Sequence, residues 1–288
     1  MRGVHVSEAM DISTRAGDAV GEEPLEHVAY VYDGSTEGLL SAVFEAYARH
    51  EHPQDVLREG LVQPRLDQSL RFVATDVDRA LRVRAGIERS CGAREAEAVV
   101  HASLSDDAGA PAAVLRFVRY ALPPRPQPPR PHTLRETAHP AVAELLSLER
   151  FVMNEREHLM QFLRFEHLQG DVWFARCSPK ANVVPLLMGW FSARFNTQPF
   201  VIFDEAHDLA GVYEGRGWRL VRTTGVELPC KADDEELMSA AWRRFYEVVS
   251  VEARYNPELR RQLMPKRFWA NLTEMQQQPP SAQIARTS

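Results

Sequence analysis

The sequence predicts an α+β fold, in which a mostly antiparallel sheet is flanked by helices and preceded by a mainly helical N-terminal part. Three observations support this prediction. Apolar residues recur at helical spacing across most of residues 76–122. From residue 161 their period changes to two, which is typical of strands that bury one face. Short turns such as Gln169-Gly170-Asp171 separate these strands, and hairpin turns favour antiparallel pairing.

The N-terminal part begins with HVAYVYDG, which predicts a strand with alternate burial that ends at Asp33-Gly34. Ser35 or Thr36 then caps a helix through EGLLSAVFEAYARH, whose apolar residues share one face. Residues 51–72 show no clear period and predict irregular structure. Three further helices are predicted at 76–90, 94–104 and 112–122.

The second half begins with a predicted helix at 138–160 and continues into two strands within FLRFEHLQGDVWFARCS. A helix at 182–195 follows, with Pro185 in its first turn, where proline is tolerated. Three strands are predicted within PFVIFDEAHDLAGVYEGRGWRLVRTTG, with a Gly-rich turn at 215–217 before the last. DDEELMSAAWRRFYEVVSVEARY predicts a strongly amphipathic helix, and NPELRRQL predicts a shorter one.

Composition marks the two ends of the chain and one internal connector. The N-terminal stretch is acidic and contains glycine, which is typical of a disordered tail. LPPRPQPPRPH places six prolines in eleven residues, so it predicts an extended connector of polyproline type. The predicted organisation is a disordered tail at 1–27, a strand plus helical part at 28–121, the connector at 122–132, an α+β part at 133–274 and a disordered tail at 275–288.

Length, charge and hydropathy limit the class of protein. The 288 residues suffice for one large domain or two small ones, and the net charge of −6 argues against a surface coated with cations for nucleic acid. No apolar run reaches the roughly 18 to 20 residues that a membrane span needs. The N-terminus also lacks the apolar segment of a signal peptide. A cytoplasmic protein without membrane association is therefore expected.

The cysteines and histidines show no metal-binding pattern. Cys91, Cys177 and Cys230 form no CxxC pair, and the histidines form no HExxH. Scattered cysteines in a cytoplasmic chain are typical of reduced thiols. We therefore expect no metal and no cofactor.

The stretch FVIFDEAHDLAG raises the question of a helicase, because such ATPases place a metal-holding Asp and a catalytic Glu in DEAH after an apolar strand. These enzymes also need GxxxxGK[ST], whose backbone N–H groups and lysine hold the phosphates. The sequence contains no Gly-Lys pair. The helicase class is therefore excluded, and the stretch is interpreted as a strand followed by a charged turn.

The densest polar segment is VEARYNPELRRQLMPKRFWANL, residues 251–272. It combines cations, which phosphates need, with flat rings that support unstacked bases, so it suits a strand of nucleic acid. The alternative interpretation is that aromatic residues near the carboxyl end fasten a helix to the core. The residues predicted to contact nucleic acid are Arg254, Tyr255, Arg260, Arg261, Lys266, Arg267 and Trp269.

Three other groups of residues are weaker catalytic candidates. Glu155 and His158 lie in the helix before the first strand of the second half, where a carboxylate and an imidazole can perform acid–base chemistry or simply solvate a helix face. Asp33 and Ser35 follow a strand at a helix N-terminus, and turn formation and capping explain them better. Asp204 ends the strand of the DEAH stretch.

Arginine dominates the basic residues, since the 34 lysines and arginines include only three lysines. Genome composition explains much of such a preference, so it is weak support for phosphate recognition. Two arginines directly precede phenylalanines, in Arg164-Phe165 and Arg194-Phe195. This pattern favours buried pairing of both arginines over ligand contact.

Six segments of the chain occur together in one bacterial family: YDGSTEGLL (32–40), QFLRF (161–165), SPKANVVPLL (178–187), FSARF (191–195), FVIFDEAHDLAGVYEGRGW (200–218) and EARYNPELRRQLMPKRFW (252–269). Over about residues 28–274 the chain resembles this family, which has no established reaction and is associated with DNA metabolism and DNA repair. Its genes typically neighbour a gene for a radical-SAM protein. In some members the same domain is fused to a uracil-DNA glycosylase-like domain.

The resemblance implies a role in DNA repair beside these partners. Because the chain lacks a radical-SAM cysteine motif and a glycosylase motif, such chemistry would belong to a partner. The chain departs from the family pattern at Lys180-Ala181, at Ala206-His207 and at Glu157, where the family tends to have His. If the family's polar residues are catalytic, this member is weakened or altered.

The expected function is that of a nucleic-acid-binding protein of DNA repair or an adaptor for a radical-SAM partner. One alternative is an enzyme that acts on a nucleic-acid base or nucleotide, which requires several catalytic candidates to converge with the basic segment in one pocket. The other alternative is a purely structural partner without affinity for DNA, which requires an exposed apolar patch.

Overall fold

The computed structural model describes residues 27–60, 62, 65, 67–223, 230–232, 234–249, 258 and 264–275. The chain divides into two compact units, Met1–Met153 and Asn154–Ser288, and the division falls inside one helix. The proline-rich stretch at 122–132 lies within the first unit. The predicted tails at 1–27 and 275–288 lie outside the described residues, apart from His27 and Met275.

The first unit is built on a three-stranded parallel sheet with the order β2-β1-β3. Its strands are β1 (Val28–Tyr32), β2 (Asp55–Arg58) and β3 (Ser69–Phe72). Its helices are α1 (Thr36–Ala48), α2 (Val77–Ser90), α3 (Ala93–Ser103), α4 (Ala110–Ala121) and the first part of α5 (Pro140–Phe162). The predicted helices of this part are confirmed, and their apolar faces form one core with β1.

Two predictions for the first unit are wrong. All five residues of β1 are buried, whereas alternate burial was expected. Because β1 is the central strand of a parallel sheet, both of its faces are covered. Residues 51–72 contain β2 and β3, which pair with β1 across long stretches of sequence. Such pairing is not encoded in the local pattern that predicted irregular structure.

The second unit contains a five-stranded sheet with the order β4-β5-β6-β7-β8. Neighbouring strands are antiparallel except β5 and β6, which are parallel and are joined through a helix. The predicted α+β fold with a mostly antiparallel sheet is confirmed. The elements after α5 are β4 (Phe165–Leu168), β5 (Val172–Cys177), α6 (Val184–Arg194), β6 (Phe200–Asp204), β7 (Leu209–Tyr213), β8 (Trp218–Arg222), α7 (Glu235–Val249) and two short 3₁₀ segments, Lys266–Asn271 and Thr273–Met275.

Helix α6 lies close to the sheet at Gly211 on β7. A Cβ atom at this position would lie 3.0 Å from Val184 Cγ1 and would overlap the Met188 side chain. Because the missing side chain permits this approach, α6 is held against the strands. The carboxyl end of α6 carries Trp190 and Arg194, whose placement therefore depends on this packing.

Within the described part of the chain, no helix combines the length and the apolar character needed to cross a membrane. The predicted short helix at NPELRRQL falls outside the described residues, with the exception of Glu258.

Candidate functional site

An open pocket of about 580 Å³ lies in the second unit. Residues from the end of α5, from β4, β5 and β6, and from α6 and α7 line it. Its volume falls within the roughly 300–1,000 Å³ of sites that hold one small molecule. Seven of its sixteen lining residues are aromatic, six are polar or charged and three are aliphatic.

Seven aromatic residues contribute to the wall. Trp173 on β5, Trp190 on α6 and Trp242 on α7 contribute indoles from three elements. Trp242 is 40% exposed, so part of its ring reaches solvent. Phe165 packs edge to face against the other three phenylalanines, with ring centroids 5.2 to 5.7 Å apart. These three are Phe191, Phe195 and Phe200. Such a wall accepts a flat ring as ligand.

Two arginines of the pocket differ in their partners. Arg164 donates to both carboxylate oxygens of Glu274, at 2.7 and 3.4 Å, and its Cζ lies 5.5 Å from the Trp242 ring. Arg194 is exposed, and its Cζ lies 5.4 Å from the Trp190 ring. Among the described residues no carboxylate lies within ion-pair distance of Arg194. Pairing is therefore confirmed for the half-buried Arg164, and the predicted burial is wrong for Arg194.

Helix α7 presents one face to the pocket, because its lining residues follow the helical spacing i, i+3, i+4 and i+7. These residues are Glu235, Met238, Ser239 and Trp242. Glu235 is 5% exposed, and its Oε2 accepts the backbone N–H of His167 at 2.7 Å. Its Oε1 accepts the Ser239 hydroxyl at 2.8 Å. In the described part of the chain no cation lies within ion-pair distance of this carboxylate.

His167 on β4 joins the start of α7 to the sheet. Its Nδ1 lies 3.1 Å from Asp234 Oδ1, and its Nε2 lies 3.0 Å from Asp171 Oδ1. The hydrogen bond with Asp234, followed by that with Asp171, raises the pKa of His167. The ring also stacks on Trp173, with centroids 4.9 Å apart. A change in the charge of His167 would therefore affect Trp173, which forms one wall of the pocket, and the start of α7, which forms another.

The C-terminal segment, defined here as residues 264–275, is fastened to the rest of the second unit. Arg267 donates from both terminal nitrogens to the carboxylate of Glu155, with Nη1 2.7 Å from Oε2. Phe268 and Leu272 are buried. The Trp269 indole is half-buried, and its Nε1 donates to the carbonyl of Met264 at 3.1 Å.

The residues predicted to contact nucleic acid are only partly visible in the structure. Lys266 is exposed, whereas Arg267 and Trp269 have the intramolecular partners just described. The remaining four lie outside the described residues: Arg254, Tyr255, Arg260 and Arg261. Nucleic-acid contact by this segment therefore stays a prediction.

Two catalytic candidates, Glu155 and His158, contact the C-terminal segment. Burial alone would raise the pKa of Glu155, but the hydrogen bonds from Arg267 and from the Lys180 N–H outweigh it and lower the pKa. The His158 ring packs against Phe268, with centroids 5.6 Å apart. Both residues therefore act here as pairing and packing partners of the segment.

Asp204 is fully buried at the end of β6 and holds a histidine. Its Oδ1 accepts the N–H of Ala206 at 2.9 Å, and its Oδ2 lies 2.6 Å from Nδ1 of His207. The His207 side chain is 15% exposed. A buried carboxylate that orients an imidazole is an arrangement that general bases use. Ala206 and His207, the two residues predicted to depart from the family pattern, belong to this turn.

The other two catalytic candidates, Asp33 and Ser35, belong to the first unit. Ser35 Oγ accepts the N–H of Gly38 at 2.9 Å and caps α1. Asp33 Oδ1 accepts the N–H and the hydroxyl of Ser35, at 2.9 and 2.6 Å. These are the hydrogen bonds of a turn and a helix cap. The structure thus places the catalytic candidates in two different units.

The described residues give little indication of a metal site or of a reactive thiol. Within them, no three His, Cys, Asp or Glu side chains are grouped closely enough to hold a metal ion. Cys91 and Cys177 are buried, and burial raises the pKa of both thiols, that of Cys91 to about 11. Protonated buried thiols are poor nucleophiles.

Sequence reasoning missed the pocket because its lining comes from six elements that are distant in sequence. One local signal was present. The spacing of Glu235, Ser239 and Trp242 on an amphipathic helix places two polar groups and an indole on the same face. A tryptophan beside a carboxylate on the apolar face of a helix is as typical of a ligand pocket as of a hydrophobic core.

The fold and the pocket define an α+β protein whose second unit lines one pocket with rings, one arginine without a described carboxylate partner and one buried carboxylate. The family model for the domain of unknown function DUF4130 matches residues 110–274, more than half of the chain. The chain therefore belongs to this family. The matched range includes every element that lines the pocket. No curated protein matches the chain.

Proposed function

We propose that this protein binds unpaired nucleic acid in DNA metabolism or repair, and that the aromatic pocket of the second unit is its contact site. The observation that carries the proposal is the combination of three indoles, of which Trp242 is 40% exposed, with Arg194 in one pocket. Bases stack on aromatic rings, and a guanidinium group binds phosphate through its planar fork. The pocket offers both kinds of contact within one unit.

The family resemblance supports a second part of the proposal, which concerns partners. Genes of the resembling family neighbour a gene for a radical-SAM protein, and some members carry a uracil-DNA glycosylase-like domain. The protein would hold unpaired DNA for such a partner, and the partner would perform the chemistry. This is the role of an adaptor in DNA repair.

The proposal is tested by binding of labelled oligonucleotides to the full chain at several salt concentrations. The chain is expected to bind a single strand more tightly than a duplex, because only unpaired bases can stack on the rings. Trp242→Ala should weaken binding at least about fivefold, in line with about 1–3 kcal/mol per stacked base. Arg194→Gln should lower the slope of log K against log salt by about 0.7, the value for one phosphate of a single strand.

Arg176→Gln is the matched control. Arg176 also lies over a ring, 5.9 Å from that of Phe174, but it pairs with Glu205 at 2.6 Å. Its loss should leave binding unchanged. Equal losses in the Arg176 and Arg194 variants would assign binding to general charge instead of the pocket. A chain that binds no single strand would overturn the proposal.

A second candidate function is an enzyme that acts on a nucleic-acid base or nucleotide. The buried Asp204 that orients His207 favours it, because a fixed imidazole can take and return a proton. This function predicts turnover of a nucleotide or DNA substrate that is lost in both His207→Gln and Asp204→Asn. Binding of a radical-SAM protein without any nucleic-acid affinity would instead favour a purely structural partner.

A further inference from the structure

The pocket contains a buried carboxylate in addition to its rings, and we infer that its ligand is a single unstacked guanine base whose phosphate lies at Arg194. This inference rests on the proposed function and adds the identity of the base. It depends on the hydrogen bonding of Glu235, on the donors that each base presents and on the size of the pocket.

Glu235 lines the pocket and retains unused acceptor positions. Its two oxygens accept one hydrogen bond each from the protein, from the His167 N–H and from the Ser239 hydroxyl. An ionised carboxylate has about four acceptor positions, so each oxygen keeps one. Within the described residues no cation lies at ion-pair distance from Glu235. Since a buried carboxylate is costly without full hydrogen bonding, a donor on the ligand would complete its shell.

Guanine is the base that matches two adjacent carboxylate oxygens. Its pairing edge presents N1–H and the N2 amino group side by side, and a carboxylate accepts both in a bidentate arrangement. Adenine and cytosine place an acceptor beside their amino group. Thymine and uracil place acceptors on both sides of their N–H group. Each of those edges would turn a lone pair towards Glu235, so guanine is selected.

The remaining parts of the pocket suit the rest of one nucleotide. Trp242 follows Glu235 by seven residues on the same face of α7, so the two lie roughly 10 Å apart along the helix axis. The carboxylate and an indole therefore line the same pocket. Arg194 on α6 supplies the cation for the phosphate. The volume of about 580 Å³ suits one small molecule.

The experiment compares GMP, IMP, AMP, CMP and UMP by tryptophan fluorescence and calorimetry with the full chain. GMP should bind about tenfold more tightly than AMP, CMP or UMP, the discrimination typical of one bidentate contact. IMP keeps N1–H and lacks the N2 amino group, so its affinity should lie between those of GMP and AMP. Equal affinity for all five nucleotides would overturn the inference.

Glu235→Gln is the decisive variant and Glu236→Gln its matched control, because Glu236 is the exposed neighbour on the same helix. The first should abolish the preference for GMP over AMP, and the second should keep it. If loss of the Glu235 contact to His167 unfolds the protein, the nucleotide series on the unchanged chain still decides. A Glu235→Gln variant that folds and keeps the preference would overturn the inference.

A second experiment tests whether the site binds a free nucleotide or a base within a strand. Oligothymidylate with one central dG is compared with the same strand carrying dA. Preference for the dG strand without GMP binding assigns the site to a strand-borne base, and GMP binding alone assigns it to a free nucleotide. If single strands bind through Trp242 without any preference, guanine selection fails and the proposed function stands. If no strand and no nucleotide binds, both fail.

Discussion

Two of the arginine–aromatic clusters in the second unit differ in whether an acid pairs with the arginine. In the C-terminal segment the Arg267 Cζ lies 4.4 Å from the Phe268 ring, and the guanidinium group is paired with Glu155. In the pocket the Arg194 Cζ lies 5.4 Å from the Trp190 ring, and no described carboxylate pairs with it. The first cluster fastens the C-terminal segment to the second unit, whereas Arg194 of the second cluster is exposed to solvent.

The difference teaches that cations and rings in sequence do not by themselves indicate a nucleic-acid surface. Glu155 precedes Arg267 by 112 positions. Its carboxylate accepts hydrogen bonds from both terminal nitrogens of the guanidinium group. A residue outside the cluster, Glu155, therefore gives Arg267 a structural role. Cations without a buried carboxylate partner are therefore better candidates for a ligand site than paired ones.

The largest expected effect concerns the stability that Glu155 provides. Glu155→Gln should destabilise the fold by about 3 kcal/mol, because breaking a buried ion pair costs roughly 3–5 kcal/mol and Arg267 is partly exposed. Chemical denaturation measures the change. Arg194→Gln is the control and should shift stability by less than about 0.5 kcal/mol. Similar losses in the two variants would erase the distinction between the clusters.

A smaller effect is expected from acid. Hydrogen bonds from arginines outweigh burial and lower the pKa of both Glu155 and Glu274. Their stabilisation is fully present above their ordinary pKa of 4.5, and it is lost as pH falls through the lower folded values. Denaturation between about pH 6 and about pH 3 should show this loss, which is smaller in Glu155→Gln. Parallel pH profiles for the two proteins would contradict the assignment.

The smallest effect concerns the pocket and is expected as pH rises above the ordinary pKa of the His167 imidazole. Because the pKa of His167 is raised, its contribution is fully present below the ordinary value of 6.5 and is lost as pH rises through the folded value. A neutral ring cannot donate to both Asp234 and Asp171, so the start of α7 should loosen. Tryptophan fluorescence should report a transition through Trp173, which stacks on the ring. Its persistence in His167→Gln would contradict this origin.

The sequence predicted the elements of the fold better than their pairing. Helical spacing located α1 to α6, and period two located β4 to β8, because amphipathic periodicity is a local property. Burial of every residue of β1 was missed, since it depends on the parallel neighbours β2 and β3. Residues 51–72 were judged irregular for the same reason.

The candidate site was predicted in part only. The turn and cap at Asp33 and Ser35 have the local hydrogen bonds that the sequence indicates. Arg164-Phe165 and Arg194-Phe195 were treated alike, although only the first arginine has a described acid, Glu274. Their convergence on one pocket depends on the crossover that carries the chain from β5 through α6 to β6. Local sequence does not encode that crossover.

Glu274 connects the end of the described chain to the pocket wall. Its Oε2 accepts the indole N–H of Trp242 at 3.1 Å, and its Oε1 lies 2.7 Å from the Arg164 guanidinium group. One carboxylate therefore positions both an indole and a cation that border the ligand space. A displacement of this carboxylate would therefore change two parts of the pocket wall at the same time.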